Sequence, residues 1–205
     1  MINLNIVTRC TRVENLKKIK ESVDKKNSFN LKWWVLFDTR FNEHIDEDLI
    51  KDLISFGAVL KFFYSTPGDM GHSYLNEVFS EIGEGYIYAL DDDNILHENF
   101  YDELYQILSN TDKKVIVFDQ YVGGKDFSGV EVRNCSPQNV KVTQIDFAQY
   151  VFHQSLTINK KLRPNEYCAD GYFVEELFNE NSSIFLFLNK ILCYYNFISN
   201  LQESI

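Results

Sequence analysis

Short apolar runs alternate with segments of helical spacing along the first half of the chain. The runs Leu4–Thr8, Lys32–Asp38, Val59–Tyr64 and Tyr86–Leu90 predict strands covered on both faces. Apolar residues recur every three or four positions between these runs, which predicts an amphipathic helix after each of the first three strands. Because crossovers between parallel strands are right-handed, this repeat predicts a parallel, doubly wound α/β sheet.

The second half of the chain is less regular. A helix around Phe100 to Leu108 is followed by a mixture of predicted strands and one further helix. The strands are expected at Lys114–Val122, Val140–Asp146, Gln149–Leu156, Ile184–Leu188 and Ile191–Phe197, the turn-rich connection at Gly123–Gly129 and the helix at Gly171–Asn179. We expect a single domain over 1–205, in which a mostly parallel half (1–112) carries a smaller mixed layer (113–205).

Charge and cysteine content narrow the class of protein. The formal net charge is -10, which excludes nucleic acid as an expected partner because phosphate binding needs lysine and arginine. The four cysteines lie far apart, without metal-ligand spacing, and are expected to be reduced thiols in a cytoplasmic protein. We expect no signal peptide and no transmembrane segment, so any contact with the inner face of a membrane would be peripheral.

Three consecutive carboxylates, Asp91, Asp92 and Asp93, directly follow the fourth predicted strand. They repel one another unless a cation lies among them. Asp91 and Asp93 are two positions apart, so on an extended backbone their side chains point the same way and can share one ion. Oxygen ligands suit Mg²⁺ or Mn²⁺, which also bind phosphate oxygens. The alternative is a solvated acidic turn in which Asp93 or Asn94 caps the next helix.

Polar residues also follow the first two predicted strands. Thr8 and Arg9 end the first strand, and Asp38 and Arg40 lie at the end of the second. Ligands of doubly wound sheets bind beyond the carboxyl ends of the strands. The sequence therefore predicts a nucleotide site where these residues meet the acidic triplet.

Four segments in order resemble the GT-A class of nucleotide-sugar glycosyltransferases, in particular glycosyltransferase family 2. They are Ile6–Leu16, Trp34–Asp38, Gly71–Asn76 and Tyr88–Asn94, the last similar to the strand that carries the DXD motif. The Asp-Asp-Asp-Asn form is also similar to that of the glucuronosyltransferases of family 43. The similarity covers about the first hundred residues well and the remainder loosely.

The resemblance implies a GT-A (Rossmann-like) fold and a nucleoside-diphosphate sugar donor, in particular a UDP-sugar. It implies Mn²⁺ or Mg²⁺ as cofactor and inverting transfer to a hydroxyl of a glycan or glycolipid acceptor, in surface polysaccharide synthesis. Asp93 and Asp91 would bind the metal, with His153 as a third ligand; the alternative for His153 is a structural role. The residues implied for donor binding are Thr8, Arg9, Asp38, Arg40, Asn76, Asp91 and Asp92.

Two aspartates of the second half are candidates for the general base that deprotonates the acceptor hydroxyl. Asp170 precedes a predicted helix and resembles the acid that opens the acceptor-side helix of family 2; an ordinary N-cap is the alternative. Asp146 ends a predicted strand that resembles the acceptor-side strand of the class; a turn acid is the alternative.

Two other functions stay open at this stage. A nucleotidyltransferase on a related sheet would place a glycine-rich loop after the first strand, and Thr8 to Arg12 contain no glycine. A non-catalytic sugar-binding domain could retain the same fold without the chemistry.

Overall fold

The computed structural model describes residues 1–23, 28–42, 44–122 and 131–198. The predicted connection at Gly123–Gly129 lies outside the described residues. The strands are β1 Asn3–Cys10, β2 Asn30–Asp38, β3 Val59–Phe63, β4 Tyr86–Ala89, β5 Ile95–Leu96, β6 Val115–Val122, β7 Glu131–Arg133, β8 Tyr150–His153 and β9 Phe185–Tyr195. The helices are α1 Leu16–Val23, α2 Glu47–Phe56, α3 His72–Glu81, α4 Phe100–Leu108 and α5 Ala169–Glu180.

One sheet runs through both halves of the described chain, in the strand order β3-β2-β1-β4-β8-β6-β9-β5, and β7 pairs with β6. The strands β1 to β4 are mutually parallel. Strand β8 runs antiparallel to both β4 and β6, and β6 is parallel to β9. Strands β1–β4, β6 and β9 therefore all end at the same rim of the sheet, whereas β8 begins there.

Helices cover both faces of this sheet. Alternate side chains of β2 separate cleanly, since Trp33 belongs to the core on one face and Trp34 to the core on the other. Helices α1 and α4 contribute to the first core through residues such as Ile19 and Leu104, and α3 and α5 contribute to the second. The predicted α/β class with a mostly parallel sheet flanked by helices is thus confirmed.

The elements of the first half agree with the sequence patterns to within a few residues. Helix α2 shows why: the Asp46 side chain accepts a hydrogen bond from Asp48 N at 2.9 Å, and Gly57 ends the helix with φ of 92°. The strand expected at Val140–Asp146 is wrong. That segment forms turns, including a φ of 70° at Thr143, which is incompatible with extended backbone.

The end of the chain also differs from expectation. The two closing strands are one strand, β9, in which Asn189 and Lys190 are exposed without breaking the run. Strands β5 and β7 are only two and three residues long and were not expected. Within the described ranges, no helix combines the length and apolar content needed to cross a membrane.

Candidate functional site

Two adjoining cavities open at the rim where six strands end. The larger cavity measures about 520 Å³ and the smaller about 230 Å³. Four of the described residues line both cavities: Arg9, Asp91, Tyr167 and Tyr195. The acidic triplet and the ends of β1 and β2 face the larger cavity, whereas the two candidate bases face the smaller one.

The central carboxylate of the triplet, Asp92, binds the loop that follows β1. Its Oδ2 accepts hydrogen bonds from Thr11 N at 2.6 Å, Thr11 Oγ1 at 2.9 Å and Arg12 N at 2.8 Å. Its Oδ1 accepts from Arg12 Nε at 3.0 Å and from Arg12 Nη2. Asn15 donates its side-chain amide to the Asp92 carbonyl at 2.8 Å. Asp92 is buried and holds the β1–α1 loop against the tip of β4.

The outer carboxylates of the triplet each pair with an arginine, one at the end of β1 and one in the loop that follows it. Arg9 Nη2 lies 3.2 Å from Asp91 Oδ1, and Arg12 Nη2 lies 3.0 Å from Asp93 Oδ2. Desolvation in the cavity raises the pKa of Asp91 to about 6; Arg9 opposes this rise and the neighbouring carboxylates add to it. The repulsion expected from the sequence is therefore present, and arginines offset part of it.

Asp38 and Arg40, at and just after the end of β2, also line the larger cavity. Asp38 is buried, accepts hydrogen bonds from Arg40 N and Ser65 N at 3.1 and 3.3 Å, and accepts one from Ser65 Oγ. The Arg40 guanidinium lies over the exposed ring of Phe41, 4.3 Å from its centroid. This wall offers a flat, cationic surface beside a fixed carboxylate.

The donor groups of the triplet suit a hard divalent cation that shares its coordination with a substrate. Across the described ranges, no three His, Cys, Asp or Glu side chains form a complete metal site. Mg²⁺ commonly takes only one or two carboxylates from the protein and completes its shell with phosphate oxygens and water. Asp91 and Asp93 therefore fit this type of site and do not fit an all-protein cage.

Asp146 lies at the smaller cavity, at the turn that precedes β8. Its Oδ2 pairs with Arg133 Nη1 at 2.6 Å and accepts from Gln120 Nε2 at 3.2 Å, while Oδ1 caps Ala148 N at 2.9 Å. Burial raises the pKa of Asp146, and these partners oppose the rise. A carboxylate that is bound by an arginine and by a backbone N–H of its own turn is poorly placed to accept a proton.

Asp170 lies in the first turn of α5 and faces the same cavity. Among the described residues, its oxygens accept hydrogen bonds only from backbone donors, Gly171 N at 2.8 Å and Phe147 N at 3.2 Å. Desolvation, reinforced by the charges of Asp146 and Asp91, raises the pKa of Asp170 to about 7. A carboxyl group with this pKa can both accept and release a proton near neutral pH.

Three residues expected at the site lie away from both cavities. His153 ends β8 and pairs with Tyr86 at the start of β4, at the opposite rim. At about 3.3 Å per residue, roughly 15 Å or more of strand separates this rim from Asp91, so the expectation of His153 as a third metal ligand is wrong. Asn76 exchanges two hydrogen bonds with the Leu162 backbone, and Thr8 is buried, accepting from Trp33 Nε1.

The structure adds residues that the sequence did not single out. Arg12 neutralises two carboxylates, Arg133 pairs with Asp146, and Tyr167 and Tyr195 stand between the cavities. Arg12 lies only three residues after Arg9, so the sequence could have indicated it as a second arginine close to the acidic triplet. The other three lie in the second half of the chain, where the three-dimensional arrangement of β7, β9 and the segment before α5 brings them to the cavities.

The backbone at Gly71 lies close to the Arg9 side chain, and replacing Gly71 tests this close approach. Its φ is 78°, and an added Cβ would lie 2.9 Å from Arg9 Cδ. We expect Gly71→Ala to lower the free energy of unfolding by about 1–2 kcal/mol in urea titrations, because a left-handed backbone penalises a side chain.

Gly83→Ala is the matched control for Gly71→Ala. An added Cβ at Gly83 meets no atom within 4 Å. We expect this change to alter stability by less than about 0.5 kcal/mol. Equal losses for the two variants would contradict the role assigned to the Gly71 backbone.

Comparison with known proteins identifies the fold. No protein-family model matches the chain, and no curated protein matches its sequence. The structure is similar to TarS from S. aureus, with a TM-score of 0.69 and 12% identity over 94% of this chain and 36% of that one. For TarS residues 1–349 in complex with UDP-GlcNAc, the TM-score is 0.70 at 11% identity, over 94% of this chain and 58% of that one.

A third similarity is to a protein from Bacillus anthracis described as a glucose-1-phosphate thymidylyltransferase, in complex with a sucrose. The TM-score is 0.55 at 11% identity, over 99% of this chain and 93% of that one. The chain thus spans little more than a third of the longer TarS chain and about three fifths of the TarS 1–349 chain. At these identities the comparisons establish the fold alone: the chain has the GT-A-like, Rossmann-type α/β fold.

Proposed function

We propose that the chain is a metal-dependent, inverting glycosyltransferase. It transfers a sugar from a nucleoside-diphosphate sugar, in particular a UDP-sugar, to a hydroxyl of a glycan or glycolipid acceptor in surface polysaccharide synthesis. The observation that carries this proposal is the pair of cavities joined across Arg9 and Asp91, with a triplet of acids in one and Asp170 in the other. The fold shared with TarS, which was crystallised with UDP-GlcNAc, supports the choice of donor.

The charge of the larger cavity supports a metal-bound diphosphate. Three arginines and four aspartates line it, so the described walls carry one negative charge in excess. A diphosphate brings about two more negative charges, so a divalent cation would favour its binding in this cavity. When bound, Mg²⁺ or Mn²⁺ would be held by Asp91 and Asp93 and would neutralise charge on the leaving diphosphate.

The remaining groups of the larger cavity would orient the nucleotide. Arg40 over Phe41 presents a planar surface suited to stacking, and the fixed Asp38 carboxylate beside it can accept hydrogen bonds from the base or ribose. Asp92 takes no direct part in this scheme. It keeps Arg12 and the β1–α1 loop in place beneath the diphosphate.

Asp170 is the proposed base. It faces the smaller cavity, on the other side of the Arg9–Asp91 pair from the nucleotide wall, so an acceptor hydroxyl there can attack from the side opposite the leaving group. The pKa of about 7 lets Asp170 take the proton as the new glycosidic bond forms. Asp146, paired with Arg133, would hold the neighbouring turn in position.

Calorimetric titration tests the donor side directly. UDP-GlcNAc, UDP-glucose, GDP-mannose and dTDP-glucose are titrated into the protein, once with Mn²⁺ and once with excess EDTA. We expect one of the UDP-sugars to bind in Mn²⁺ and to bind at least about tenfold more weakly in EDTA, because the cavity is already negative. An absence of binding for every nucleotide sugar would contradict the proposal.

Nucleotidyl transfer is the second candidate, and the similarity to the Bacillus anthracis protein favours testing it. The segment after β1, Thr8 to Arg12, contains no glycine that would bring its backbone close to a triphosphate. Incubation with dTTP and glucose 1-phosphate is therefore expected to release no pyrophosphate. Its release in stoichiometric amounts would favour this second candidate instead.

A further inference from the structure

The smaller cavity has the dimensions of a site for a single sugar ring. Its volume of about 230 Å³ lies below the range of about 300–1,000 Å³ that is usual for pockets that hold drug-sized ligands. It opens beside Asp170, so the group that enters it would be the one that is modified. An extended acceptor would place its terminal unit here and the remainder outside.

The charges lining the smaller cavity leave no free cation for an anionic ligand among the described residues. Asp91, Asp146 and Asp170 contribute carboxylates, whereas the only guanidinium groups in this part of the wall belong to Arg9 and Arg133. Both guanidinium groups are committed, to Asp91 at 3.2 Å and to Asp146 at 2.6 Å. An entering phosphate or carboxylate would have to compete with Asp91 and Asp146 for these two guanidinium groups.

His72 supplies a neutral polar group to the same wall. Its side chain is buried, and its Nδ1 has no hydrogen-bond partner in the described structure. Burial and the nearby Arg9 charge lower the pKa of His72 to about 4, so the ring is uncharged at neutral pH. An uncharged imidazole nitrogen accepts a hydrogen bond from a hydroxyl and offers no charge to an anion.

Tyr167 provides an apolar surface at the mouth of the cavity. It is 82% exposed, the largest exposed fraction of any described aromatic side chain. Tyr195 lines the same opening from the end of β9. An exposed aromatic ring beside several hydroxyl-binding groups suits the C–H face of a sugar ring, since one surface of the ligand is apolar and its rim is polar.

We infer that the smaller cavity binds an uncharged terminal sugar of the acceptor, with its ring against Tyr167, and rejects acceptors that carry a phosphate or carboxylate on that sugar. This inference rests on the proposed function and specifies its acceptor class. Specificity arises chiefly from repulsion, because Asp146 and Asp170 line the cavity that the terminal sugar enters and disfavour a second negative charge there.

Matched acceptors test the inference. The full chain is incubated with Mn²⁺ and the UDP-sugar that binds in calorimetry, and UDP release is followed with two pairs: octyl glucoside and octyl glucuronide, and octyl N-acetylglucosaminide and its 6-phosphate. We expect the uncharged member of at least one pair to accelerate UDP release, with kcat/KM about tenfold or more above that of its anionic partner.

Substitution of Tyr167 tests the aromatic contact separately. Tyr167→Ala is expected to raise KM for the uncharged acceptor by about three- to tenfold, the range of an aromatic contact. Tyr64→Ala, which removes a 62% exposed tyrosine that lines neither cavity, is the matched control and should leave that KM within about twofold.

Each outcome bears on a separate claim. Faster UDP release with an anionic member, or no acceleration by any member while the donor binds, would overturn the inference and leave the donor site intact. An unchanged KM in Tyr167→Ala would overturn the stacking contact. Failure of every nucleotide sugar to bind would instead overturn the proposed function itself.

Discussion

Replacing Asp170 by Asn is expected to lower the rate of sugar transfer by about 10²- to 10⁴-fold, the usual contribution of a general base. The amide is nearly isosteric and can still accept from Gly171 N, so the fold and donor binding should persist. In the wild type, transfer should rise as the pH increases through about 7, because the base acts in its deprotonated form. A bound cation would shift this rise to lower pH, since its charge favours the carboxylate.

Asp146→Asn is the matched control for the base. It removes the charge that pairs with Arg133 and leaves the cap on Ala148 N available to the amide oxygen. We expect Asp146→Asn to lower the rate of transfer less than Asp170→Asn does, and to retain the rise of that rate with pH. If instead Asp146→Asn abolished the rise of the rate with pH and Asp170→Asn retained it, the base would be Asp146.

Two carboxylates of the acidic triplet, Asp92 and Asp93, are expected to differ, the first being structural and the second functional. Asp92→Ala removes the acceptor for two backbone N–H groups and for Arg12, and should lower the free energy of unfolding by about 3 kcal/mol. Asp93→Ala removes one ion pair to a half-exposed arginine and relieves repulsion, so stability should change by less than about 1 kcal/mol while transfer is abolished.

Urea titration and a transfer assay on both variants check this separation. Equal losses of stability would contradict the structural role of Asp92. Retention of transfer by Asp93→Ala would contradict the metal-binding role proposed for Asp93. Donor binding by the unsubstituted chain with no detectable transfer would favour the non-catalytic sugar-binding domain that the sequence left open.

The first half of the fold was predictable because its signals are local. Each strand is a continuous apolar run, and a helix such as α2 carries its own stop at Gly57. The position of the acidic triplet at the end of β4 follows from the same patterns, since parallel strands place their carboxyl ends together.

The second half was harder to predict because it depends on strand direction, which side-chain periodicity does not record. Strand β8 is reversed, so its beginning, near Asp146, reaches the rim with the cavities and its end, His153, reaches the other. The turns around Thr143 contain β-branched residues that favour strands locally, and tertiary packing against α5 overrides that preference. The roles of Asp92 and Arg12 likewise required the three-dimensional contacts.

The hydrogen bonds of Asp92 have a consequence for how the site is assembled. They join positions about eighty residues apart in sequence, so the loop after β1 acquires its final shape only once β4 has docked beside β1. Closing so long a segment costs entropy that no nearby contact offsets in advance. The pocket therefore cannot be completed before β4 is in place, and a nascent chain that ends before residue 91 carries Arg9 and Arg12 without the carboxylates that orient them.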